Sequence, residues 1–261
     1  MCIYGVTQIG TGSLGPSRFL PDLLITLQVI KPALVFLTGT WFVLYWVNRH
    51  TTTAPLMSRV LLLLLLLGFV AIVDSIVEAA YLAIPKKEEF ASSGCCTDAF
   101  GVQSRSSKLL SEGLLGEDYR PWLSGAYYLV NAGMSLALAG YALLPRWRQS
   151  GASLVPLGSG ALVSLAVNFA FLIEIAAPAL LHSPYHHCPY DLVPLVPESV
   201  VAIALFVVGC FSAGWACLAV WLGSCPETKP FLGQEITKLV YLALFGYAGS
   251  VAMLWLELRL A

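Results

Sequence analysis

His186, His187 and Cys188 stand in a row in a proline-rich segment. Imidazole beside thiolate is a ligand combination that suits copper and zinc, and it is also the one most open to redox chemistry. The segment runs Leu181-His182-Ser183-Pro184-Tyr185-His186-His187-Cys188-Pro189-Tyr190-Asp191, with Pro194, Pro197 and Glu198 following. Pro184 and Pro189 limit its conformations, which suits ligands that should be preorganised. On an extended backbone His186 and Cys188 share a face while His187 points away. If the segment turns helically, His182 and His186 come together instead.

Cys95 and Cys96 form a second thiol cluster, in the other long polar segment. Neighbouring Cα atoms lie about 3.8 Å apart, whereas a relaxed disulfide wants more than about 4.4 Å. The pair is therefore expected to act across loops. One thiol could bridge to Cys188 as a structural disulfide, or Cys95 and Cys96 could join His182, His186, His187 and Cys188 as metal ligands. Both readings stay open. Cys210 and Cys217 lie within an apolar stretch and are expected to behave as small hydrophobes.

Other chemistry finds little footing. The chain has no C-x-x-C, so a thiol-redox protein would lack its usual dithiol. It has no H-E-x-x-H, P-loop, G-x-S-x-G or dinucleotide fingerprint, so neither a nucleotide nor a flavin site is evident and no catalytic residue is assigned. No histidine lies mid-span, which counts against haem held between two helices.

The elements that must position these ligands are apolar. Of 261 residues, 58% are hydrophobic and 11% charged, with a mean hydropathy of +0.79, far from the roughly one-quarter charged residues of soluble domains. The net charge of -1 leaves nothing basic enough to bind nucleic acid. Met1 to Leu20 lacks the basic region and apolar core of a signal peptide and reads as a short polar lead. The expected fold is an all-α polytopic integral membrane protein, a bundle of about six transmembrane helices forming a single membrane domain over 1–261. The spans are expected near 22–47, 57–83, 122–144, 157–181, 199–222 and 236–256, each about the 20 residues a bilayer needs. Segments 84–121 and 182–198 are the two exterior loops.

Arg49, Arg59, Arg146, Arg148 and Lys229 fall in short connections on one face; the long loop opposite holds Lys86, Lys87, Arg105, Lys108 and Arg120, so the expectation that the first face is cytoplasmic rests on density rather than count. The His186 segment contains no Lys or Arg. Both termini and both ligand-bearing loops are thus expected on the periplasmic or exterior side of a bacterial inner membrane.

Charges within spans are costly and face a partner, a cavity or a pathway. Lys31, Asp74, Glu78 and Glu174 are expected in the outer half of the membrane, beneath the two loops. Asp74 and Glu78, four residues apart, share a helical face, and Lys31 is their candidate base. The group is either a packing salt bridge or a lower ion site or proton relay whose charge Lys31 balances. Asn131 and Asn168 are expected to pair across adjacent spans. Gly133 with Ala137, and Ser135 with Ala139, have the four-residue spacing of a close helix approach.

Together these features point to a membrane protein that binds and delivers copper or zinc. A non-catalytic subunit of a respiratory or electron-transfer complex, braced by a disulfide, is the alternative, and a thiol-redox protein is third. The expected partners are the lipid bilayer and other membrane-protein subunits.

Overall fold

The computed structural model describes residues 19–84, 119–144, 154–182, 189 and 192–260. Among these the chain is all-α, in two compact units, Met1–Ala99 and Phe100–Ala261.

The first unit is a hairpin of α1 (Leu20–Arg49) and α2 (Met57–Ala83). Pro21 stands in the first turn of α1, where a missing N–H is harmless. Between the helices the buried Asn48 closes the turn, its Oδ1 accepting the Leu56 N–H at 2.8 Å while its carbonyl accepts the Thr51 hydroxyl at 2.7 Å. Ala54 takes a left-handed conformation there, φ 49°. Leu44, Val47, Leu56, Val60 and Leu63 are buried around this end. Leu61 to Leu67 are seven leucines in a row, of which Leu61, Leu62 and Leu64 to Leu66 face outward, as a lipid-facing stripe would.

The second unit packs α3 (Tyr119–Leu143) with α4 (Leu154–Leu180), the short α5 (Leu192–Leu195), α6 (Pro197–Gly223) and α7 (Lys229–Leu260). Buried Thr228 ties the connection between α6 and α7: its hydroxyl donates to the Gly223 carbonyl at 2.6 Å and accepts the Cys225 N–H at 3.0 Å. Tyr127 and Phe171 stack with ring centroids 3.9 Å apart. They anchor a core completed by Ala176, Ala177, Leu180, Leu192, Ala202 and Leu254.

Among the described residues five helices are long and apolar enough to cross a membrane: Asp22–Arg49, Met57–Ala83, Leu154–Leu180, Pro197–Gly223 and Lys229–Leu260. They mark an integral membrane protein in contact with lipid. The stretch expected as a span near 122–144 is a helix, α3, of 25 residues, and at about 1.5 Å per residue it is long enough. Its apolarity is diluted by Tyr119, Tyr127, Asn131 and Tyr141, all of which are buried within the unit.

The expected close approach at Gly133 is not where the helices meet. Tyr127, Asn131, Met134 and Leu138 form the buried stripe of α3, which leaves Gly133 outside it with nothing within 4 Å of where its Cβ would be. The close approach lies between α6 and α7. A Cβ on Gly246 would fall 2.5 Å from the Gly209 nitrogen and 2.6 Å from the Leu205 carbonyl oxygen. Gly209 with Ala213, and Gly246 with Ser250, have the same four-residue spacing.

Candidate functional site

Polar side chains sit within the helices of both units. In the first unit Lys31 Nζ lies 2.8 Å from Glu78 Oε2 and 3.2 Å from Asp74 Oδ2. One ammonium thus engages both carboxylates. The helical spacing of Asp74 and Glu78 makes this fork possible, since each points from α2 one turn from the other. Asp74 is the more enclosed, and its Oδ1 is buried with no hydrogen-bond partner. Pro32 follows Lys31 inside α1. Lacking an N–H, it frees the Gln28 carbonyl from its helical bond beside the charged trio. By formal charge the trio is one minus, two carboxylates against one ammonium.

In the second unit Glu174 belongs to a π-turn, Leu172–Ala176, within α4. The Ala177 N–H reaches back to the Leu172 carbonyl, and Pro178 has no N–H to offer the Glu174 carbonyl four residues before it. The widened turn re-aims the side chain, as π-bulges at functional positions do. Tyr119 at the start of α3 donates its hydroxyl to Glu174 Oε2 at 2.7 Å. Depth alone had not singled out Tyr119. Pro178, four residues after a carboxylate within an apolar helix, was the available signal for the distortion.

Deeper in the same unit the Asn131–Asn168 pair forms, with Asn168 Nδ2 donating to Asn131 Oδ1 at 3.1 Å. The pair is anchored at both ends, Asn131 donating to the Tyr127 carbonyl at 2.8 Å and Asn168 to the Ser164 carbonyl at 2.7 Å. The Ser164 and Tyr247 hydroxyls meet at 2.6 Å, and the Cys210 thiol contacts the Ala161 carbonyl at 3.6 Å. These bonds link α3, α4, α6 and α7. Asn168→Ala is expected to lower stability by about 1 kcal/mol, the scale of an interhelical side-chain bond in a membrane protein. Adding Asn131→Ala should lower the melting temperature in detergent little further, because the shared bond is already gone.

Of the expected metal ligands, Cys95, Cys96, His186, His187 and Cys188 lie outside the described residues. His182 is described: it follows α4 in a left-handed conformation, φ 49°, with its N–H on the Ala179 carbonyl at 3.2 Å, a geometry that ends helices. Among the described residues no three His, Cys, Asp or Glu side chains gather into a metal-binding group. Cys210 and Cys217 serve packing: Cys210 is buried, and Cys217 Sγ occupies the space that a Cβ on Gly158 would enter.

Comparisons of the chain with family models, with curated proteins and with solved structures give no match, so its function has to be read from its own chemistry.

Proposed function

We propose that this integral membrane protein binds a soft or borderline metal ion, copper or zinc, through the His and Cys residues of its two long polar loops and delivers it to another membrane protein. The observation that carries the reading is the concentration of ligand types: His182, His186, His187 and Cys188 fall within seven residues, and Cys95 and Cys96 stand together in the other loop. Thiolate with imidazole suits both ions. In this reading α3 is a sixth span, both loops and both termini face the exterior or periplasm of a bacterial inner membrane, and the low density of Lys and Arg around His186 sets that orientation.

Delivery is favoured over passage by the pairing of the polar groups within the helices. Lys31 engages Asp74 and Glu78, Asn131 engages Asn168, and Ser164 engages Tyr247, so these groups turn toward one another, with Asp74 Oδ1 the exception. Elemental analysis of the full chain, gently purified, is expected to find one copper or zinc per chain. Cys188→Ser and His186→Ala should each release it. Metal-free unsubstituted protein would refute the reading.

A second reading, a non-catalytic subunit of a respiratory or electron-transfer assembly with a disulfide between the loops, is favoured by one feature. The Lys31 and Glu78 side chains are about half exposed on a hairpin of spanning helices, and charge in that position calls for cover by protein. This reading expects a stable larger complex, no metal, and a Cys188 that reacts with a membrane-impermeant thiol reagent only after reduction.

A further inference from the structure

A groove of about 640 Å³ runs between α3 and α7. Its α3 wall includes Ala132 and Ser135, its α7 wall Ala248 and Ala252, and Trp255 and Arg259 stand toward the end of α7. The small side chains leave room between the two helices. The two residues at the end give the groove a polarity along its length.

The register of α7 in a bilayer follows from its charges. Glu235 and Lys238 pair near its start, at 2.7 Å, and Glu257 and Arg259 are the next ionisable side chains other than tyrosine. From Lys238 to Arg259 the helix rises about 31 Å, close to the roughly 30 Å of a hydrocarbon core. Ala248 then stands near the midplane and Arg259 at the interface. The stretch between them rises about 16 Å, close to one leaflet of that core.

At the interfacial end the Arg259 guanidinium lies 5.5 Å from the centre of the Trp255 ring. An indole at headgroup level is the usual aromatic belt, and a guanidinium offers the planar donor fork that matches phosphate. Neither Glu198 nor Glu257 lines the groove, so among the described residues the formal charge along it is that of Arg259.

We propose that the α3–α7 groove holds one acyl chain of a glycerophospholipid, with the lipid phosphate at Arg259. The chain lies along Ala132, Ala248 and Ala252 from the midplane outward, and the headgroup meets the cation beside Trp255. A second protein helix would need only the apolar walls. The cation at the interfacial end and the one-leaflet length are what favour a lipid.

The test uses the full chain, delipidated in mild detergent, titrated with dioleoylphosphatidylglycerol or with dioleoylglycerol, which has the same chains and no phosphate, and read by native mass spectrometry. The unsubstituted chain is expected to retain one phospholipid and to bind the phosphate-free lipid about tenfold more weakly, the worth of one charge-assisted hydrogen bond. Ala252→Trp should abolish retention by filling the groove. Arg259→Gln, outside the packed core, should bring phospholipid binding down to the phosphate-free level, and it keeps the test valid if Ala252→Trp does not fold. Equal binding of both lipids, or retention unchanged by Arg259→Gln, overturns the proposal. So does a dimer of the unsubstituted chain that Ala252→Trp disrupts without any lipid being retained.

Discussion

Gly246→Ala is expected to destabilise the protein by about 3 kcal/mol, and Gly246→Leu to separate α6 from α7. A Cβ on Gly246 would lie 2.5 Å from the nitrogen and 2.6 Å from the Cα of Gly209, and 2.6 Å from the Leu205 carbonyl oxygen. All three are backbone atoms, which cannot rotate out of the way. The opposite substitution meets the same wall, because a Cβ on Gly209 would lie 2.9 Å from the Tyr247 nitrogen and 3.1 Å from the Gly246 carbonyl carbon. Inserting one methylene into a close-packed core typically costs about 1–3 kcal/mol, and a contact made only of backbone belongs at the upper end. Moving the helices apart would also pull on Tyr247, which holds Ser164 at 2.6 Å and packs edge-on against Phe206 at 5.7 Å. Thermal melting of the full chain in detergent gives the readout. Gly233→Ala is the matched control, since nothing lies within 4 Å of its Cβ position and alanine favours the helix there. Melting of Gly246→Ala together with Gly233→Ala would mean that the two backbones do not touch.

That contact also marks where the sequence stops being readable. Small residues four apart occur at Gly133 and Ala137 as well as at Gly209 and Ala213 and at Gly246 and Ser250, and spacing alone gives no reason to choose between them. In a soluble helix the polar face would identify the outside. In a chain this apolar every face is acceptable to lipid, so the hydrophobic pattern locates the spans and leaves their rotation open. Depth survives, because it follows from counting residues in from the charged and proline-marked ends. Lys31, Asp74 and Glu78 could be matched by height, and so could Asn131 and Asn168. Tyr119 as the partner of Glu174 was hidden, because that pairing depends on how a π-turn rotates the end of α4. The ligand-bearing loops posed the reverse problem: residue types and spacing spoke clearly there, and only His182 among those ligands falls within the described fold.

The charged trio should respond asymmetrically to substitution. Lys31→Met leaves Asp74 and Glu78 facing each other with no cation between them, two negative charges in a spanning hairpin. An aspartate at the centre of a membrane helix costs about 2.5 to 3.5 kcal/mol on insertion scales, and the Asp74 carboxylate, with Oδ1 already lacking a donor, has no spare partner to turn to. Lys31→Met is therefore expected to lower both the inserted yield and the melting temperature substantially. Glu78→Gln should do neither, although it removes the shorter contact of 2.8 Å, because it converts a trio of net negative charge into a neutral Lys31–Asp74 pair at 3.2 Å. Restoring neutrality by Asp74→Asn and Glu78→Gln in the Lys31→Met background should recover most of the loss, the coupling a multiple-mutant cycle measures. Equal behaviour of Lys31→Met and Glu78→Gln would mean that the charge balance of the three groups does not set stability. The same neutral triple variant also tests the proposed metal site. If the loops alone hold the ion, it binds as much copper or zinc as the unsubstituted chain; a triple variant that folds but comes out metal-free would overturn a site made of loop ligands alone.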